Sequence, residues 1–158
     1  MRPFLFMVIL PHMLAGAVVG ARSRNIATAF IFSIIVHFLI DALPHWDYLS
    51  KIDISSSIHI LKIFIDFVLG CVLVWFLCRS HPRRLFILIA IFAALLPDCL
   101  EIIYYNFNVE WLGGLSWFHN LMHYSKDLPF KTGIWSVVIV CAVSVWMLFK
   151  DKSKQKIN

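Results

Sequence analysis

Two imidazoles and two carboxylates crowd one short stretch, His37-Phe38-Leu39-Ile40-Asp41-Ala42-Leu43-Pro44-His45-Trp46-Asp47. On a helix, His37 and Asp41 stand one turn apart on the same face, so both side chains reach a single point in space. Pro44 disfavours helix at Leu43 and turns His45 and Asp47 back toward the same end. Two further groups repeat the theme: Asp98 and Glu101, three apart after Pro97, and His119 and His123, four apart. His12, next to Pro11, is the ninth candidate. Neutral imidazole nitrogens and carboxylate oxygens are the usual ligands of zinc and related divalent ions. Nine donors exceed the four of a tetrahedral zinc, which leaves either two metals or one metal with orienting carboxylates.

The elements that must position these residues are apolar. With 61% hydrophobic residues and a mean hydropathy of +0.83, the chain lies far above the apolar share of a water-soluble domain. An all-α integral membrane bundle of about five transmembrane helices and a short interfacial helix is expected, as a single domain over residues 1–149 with a basic tail over 150–158. The spans fall at about Pro3–Ala21, Ile26–Leu43, Ile58–Cys78, Leu85–Tyr105 and Gly133–Phe149. Each comes close to the ~20 residues that cross a hydrocarbon core of roughly 30 Å. The stretch Glu110–Tyr124 is too short and too polar to cross, and suits a helix at the interface. The first segment has signal-peptide features, but Pro11-His12 interrupts it where a signal sequence is most apolar, so it is expected to be a span. Gly16 and Gly20 form a G-x-x-x-G pair that permits close helix packing.

Basic residues set the expected orientation. Arg22, Arg24, Arg79, Arg83, Arg84 and the tail lysines fall on one side, against Arg2, Lys51, Lys126 and Lys131 on the other. The positive-inside rule places the tail in the cytoplasm. The candidate donors then gather at the non-cytoplasmic ends of their helices, except His12, which falls about the middle of the first span unless Pro11 begins that helix. The net charge of +5 suits anionic headgroups rather than nucleic acid. Four dispersed cysteines, without C-x-x-C spacing, indicate neither a zinc ribbon nor a disulfide framework.

Blander roles compete for several of these residues. His12 can be a packed core histidine. Asp47 and Glu101 suit capping or orienting roles as readily as direct ligation. Lys62 and Asp66, four apart, are expected to neutralise each other. A pathway for ions or protons also uses carboxylates and histidines within helices, so a non-enzymatic metal-binding or ion-transport protein is the alternative function. Such a pathway requires polar residues through to the cytoplasmic side, where the spans here are almost wholly apolar.

The pattern Pro11-His12-x-Leu14-x-Gly16, then His37-x-x-x-Asp41-x-x-Pro44-His45-Trp46-Asp47, then Leu96-Pro97-Asp98-x-x-Glu101, then His119-x-x-x-His123 resembles the YdjM-like family of small bacterial membrane-bound metal-dependent hydrolases. The likeness runs from about Pro11 to Thr132. It implies a multi-pass protein of the bacterial inner membrane. His12, His37, Asp41, Asp98, His119 and His123 match the family's polar positions and are the implied metal ligands, with zinc or manganese as the metal. Glu101, His45 or Asp47 then acts as base or orienter. A more distant likeness of His37, Asp41, Pro44 and His45 to the zinc-dependent phospholipase C group points to a phosphoester of a lipid or amphiphilic substrate.

Overall fold

The computed structural model describes residues 9–46, 54–123 and 128–155. Among the described residues every element is helical: α1 (Ile9–Arg22), α2 (Ile26–Asp41), α3 (Ser57–Cys78), α4 (Arg84–Phe107), a 3-10 turn (Glu110–Leu112), α5 (Gly113–Met122) and α6 (Phe130–Gln155). Three of them, α3, α4 and α6 over Phe130–Lys152, are long and apolar enough to cross a membrane. The described parts of α1 and α2, 14 and 16 residues, are shorter apolar helices.

The polar residues face inward and the large apolar ones outward. On α2 the buried positions Ala29, Ser33, His37, Ile40 and Asp41 recur at helical spacing and form one stripe. Ile31, Phe32, Ile35 and Leu39 cover the opposite face and are exposed. In water this arrangement would be inside out; against hydrocarbon it removes nothing apolar from its preferred surroundings, while the polar stripe is hidden in protein. Asn25 starts α2 with a capping box, its side chain accepting from Thr28 N–H at 2.8 Å while the Thr28 hydroxyl accepts from Asn25 N–H.

α1 is the hub, packed by α2, α3, α4 and α6 and buried over almost its whole length. Its closest neighbour is α4, and glycine makes the approach possible. A Cβ on Gly20 would lie 2.5 Å from Ile87 Cα and 2.6 Å from the Phe86 carbonyl oxygen. The expected G-x-x-x-G contact is thus an internal seam between α1 and α4. Met13, Leu14, Ala17 and Val18 complete a core with Val74 and Leu77 of α3, Ile87 and Ile91 of α4, and Leu148 of α6. Asp66 of α3 accepts a hydrogen bond from Ile9 N–H at 2.6 Å, so this carboxylate serves the start of α1.

Pro97 does not end α4, which runs on to Phe107. A proline inside a helix removes one backbone hydrogen bond, and neighbouring helices make that tolerable in an apolar setting. The helix stops instead at Asn108, which takes a left-handed conformation with φ 51°. After α2, Trp46 N–H donates to the Gly133 carbonyl at 3.2 Å and the Ser136 hydroxyl donates to the Pro44 carbonyl at 2.5 Å. This pins the His45 segment to α6, and the Gly133 Cα lies against the Trp46 backbone too closely for any side chain. α6 continues past Phe149 into the basic segment, where Asp151 pairs with Arg22 at 3.0 Å.

The α1–α4 seam makes a direct prediction. Gly20→Ala is expected to destabilise the protein by about 1–3 kcal/mol through overpacking, read as a lower midpoint of thermal unfolding in detergent. Gly114 on α5 has open space around it. Gly114→Ala should therefore leave that midpoint unchanged or raise it.

Candidate metal centre

α2, α4 and α5 bring four donors to one place. His37, Asp41, Asp98 and His119 are all buried, and each offers one ligand atom lying within 4.8 Å of the other three. The helical repeat puts His37 and Asp41 on the same stripe, and the turn from α4 through the 3-10 segment lays α5 back across α2 and α4. His119 then points inward while Trp111, Leu115 and Trp117 point out.

The distances suit both hydrogen bonds between the donors and the edges of a polyhedron around one ion. His37 Nε2 and His119 Nε2 each lie 3.0 Å from the same oxygen, Asp41 Oδ2, and 3.3 Å from each other. Asp98 Oδ1 stands 3.5 Å from His119 Nε2 and 3.9 Å from His37 Nε2. Tetrahedral zinc with bonds of roughly 2.0–2.1 Å separates its ligand atoms by about 3.3 Å. The five measured edges bracket that value.

Charge and tautomer favour the same occupant. His119 turns Nδ1 against Glu101 Oε2, and a carboxylate there holds the ring proton on Nδ1. Nε2 is left with a lone pair, facing a carboxylate oxygen and a second imidazole nitrogen. That arrangement is repulsive unless a proton on His37 Nε2 or a cation lies among the three atoms. Asp41 is 0% exposed, and an uncompensated carboxylate so deeply buried costs several kcal/mol. Its second oxygen, Oδ1, lies 3.2 Å from His12 Nε2. Asp98 Oδ2, also buried, has no hydrogen-bond partner among the described residues. Buried polar atoms in that condition are what a divalent cation would satisfy.

The remaining sequence candidates are placed as follows. His12, on the first turns of α1 and fully buried, is in place to touch Asp41, and its ring lies 4.5 Å from that of His37. It stands beside the four-donor group rather than in it. His123 is also outside that group; its ring pairs with His45 at 4.8 Å and lies 5.8 Å from that of His119. His45 donates from Nδ1 to the Leu43 carbonyl at 2.6 Å, which makes Nε2 its basic nitrogen. Glu101 is engaged with His119 and with Asn120, an orienting arrangement. Asp47 lies outside the described residues. The four cysteines are free thiols, as their spacing suggests.

Asn120 is a residue that spacing alone does not single out. Its Nδ2 donates to Glu101 Oε1 at 2.7 Å and to the Ser116 carbonyl at 2.8 Å, holding the carboxylate that holds His119. The Ser116 hydroxyl continues the chain to Tyr105 at 3.0 Å. The available signal was an amide sitting between two histidines on a short apolar helix, a position where an unsatisfied polar group is costly.

Fold and site together define an all-helical protein with membrane-length apolar helices and a buried His-Asp group able to hold a divalent cation. Comparison with protein-family models, curated proteins and solved structures finds no match to this chain.

Glu101→Gln and Asn120→Ala should each weaken divalent-metal binding roughly 10–100-fold while leaving the fold intact, as expected for groups that orient a ligand. Competition with a chromophoric chelator measures this. Removing metal with EDTA should lower the unfolding midpoint of the wild-type protein, because a ligand that binds only the folded state stabilises it. In Asp41→Asn, which has one fewer buried charge to offset, the same treatment should have much less effect.

Proposed function

We propose that this chain is a membrane-bound metal-dependent hydrolase acting on a phosphoester of a lipid or other amphiphile. The observation that carries the proposal is the four-donor group itself, with His119 oriented by Glu101 and lying at the edge of an apolar cavity. A closed structural site has no need of such an edge. The mixed nitrogen and oxygen donors and the near-tetrahedral spacing favour zinc, with manganese the next choice. The likeness of the polar positions to the YdjM-like hydrolases supports the same reaction class.

A divalent ion held there would need a coordination position beyond the four protein donors, or one donor released, to take a water; it would then lower that water's pKa toward neutrality and polarise a phosphoryl oxygen. The chain's own residues supply the rest. His37, Asp41, Asp98 and His119 would hold the ion, and His12 would steady the second oxygen of Asp41. Glu101 and Asn120 fix the His119 tautomer. His45 Nε2, beside His123, accepts the proton from the attacking water. The water oxygen would bond to phosphorus as the ester P–O bond breaks, and the proton accepted by His45 would pass to the departing alkoxide, which leaves as the alcohol.

In the same proposal all five apolar helices lie within the bacterial inner membrane, with α1 sheltered by its neighbours and the exposed apolar face of α2 turned to lipid. The basic end, where Arg83 donates to the Ala21 and Ser23 carbonyls and Arg22 pairs with Asp151, faces the cytoplasm. The donor group then opens near the outer headgroups, where membrane lipids are both surroundings and substrate. Complete burial of His37 and Asp41 is the observation that favours a second possibility, a metal-binding or transport protein without turnover.

Purified protein loaded with zinc is expected to hydrolyse a lipid phosphoester, and His37→Ala to reduce the rate at least 100-fold. Zinc uptake into vesicles without any turnover would instead select the transport reading.

A further inference from the structure

Beside the His119 edge of the donor group, α2, α4, the 3-10 turn and α5 enclose a cavity of about 200 Å3. Phe38, Leu100, Leu112 and Leu115 make its walls, and Glu101 and His119 mark the end that meets the donors. Water is a poor occupant, because a buried water needs two to four polar partners. Glu101 is already engaged by His119 and Asn120. The cavity suits hydrocarbon.

Its size limits which hydrocarbon. At roughly 30 Å3 for a group the size of a water molecule, it takes about six or seven methylenes in single file. Two acyl chains side by side do not fit. Leu115 and Phe118 at the rim are 52% and 41% exposed, and they join the belt of outward apolar side chains. A chain can therefore enter sideways from the lipid. A groove serving only as lipid contact would have no reason to end on a metal ligand. This one ends on His119.

We propose that the cavity is a substrate slot for the first stretch of one hydrocarbon chain, which places the polar group that follows the chain against the His119 face of the donor group. The slot selects single-chain amphiphiles, or one chain of a larger lipid, by the length of apolar chain next to the phosphoester. This rests on the hydrolase reading of the donor group.

The test uses full-length, zinc-loaded protein in phosphatidylcholine nanodiscs and a series of n-alkyl phosphonates from butyl to dodecyl, with zinc content measured in parallel. Affinity is expected to rise about fourfold per methylene up to heptyl or octyl and to level off beyond. Leu115→Trp, at an exposed position, should move the break two or three carbons shorter at unchanged zinc content. Leu100→Ala should move it to longer chains. A rise that continues to dodecyl in parallel for wild type and both variants would reflect partition into the bilayer and would overturn the slot. A break that shifts with the variants but ignores removal of zinc would support the slot and overturn the hydrolase reading instead.

Discussion

The carboxylate of Asp41 is buried completely and ringed by the imidazoles of His12, His37 and His119. A negative charge withdrawn from water must be offset locally, or the fold that buries it is lost. This single requirement accounts for much of the rest. It explains why the buried stripe of α2 carries its polar residues and the exposed face its large apolar ones. It also explains why three other helices each bring a nitrogen or oxygen to the same end of the bundle, and why no one helix can complete the group alone.

The packing supplies what that charge requires. α1 is made of small and medium residues because four helices surround it, and Gly20 lets α4 approach to backbone contact. That close seam sets the height of Asp98 relative to His12 and His37. On the other side, Ser136 and Gly133 of α6 clamp the Pro44–Trp46 segment, so His45 stays beside His123. The site is thus held from α1, α4, α5 and α6 as well as from α2. Its precision comes from helices rather than loops.

Around the donors the polar groups are graded in function. At the shared centre Asp98 Oδ2 lacks a hydrogen bond of its own. The groups one step outward are bonded to one another, through Glu101, Asn120, Ser116 and Tyr105. An under-satisfied atom at the centre and satisfied atoms around it are the expected electrostatic design for holding a cation in a medium of low polarity. The apolar cavity at the His119 edge then meets this centre with little further polar surface.

Several features were legible in the residues alone. The apolar segments, the start of the second span near Ile26 and the pairing of His37 with Asp41 follow from composition and from the 3.6-residue repeat, which are local properties. The convergence of Asp98 and His119 on that pair was suggested by their ends of the helices, not determined by them. Which atoms meet depends on helix crossing and rotation, and these are set by packing between residues far apart in sequence. The membership of the four-donor group was decided at that level: His12 and His123 have the same chemistry as His37 and His119, yet the tertiary structure sets them to one side. Asn120 gained its role in the same way, because only when α5 folds back on α4 does its amide reach Glu101. The sequence by itself determined the kinds of donor and the helices that carry them; the packing of α1 against α4 and of α5 across both α2 and α4 decided which donors share a centre, since side-chain distance is a property of the assembled bundle and not of any one helix.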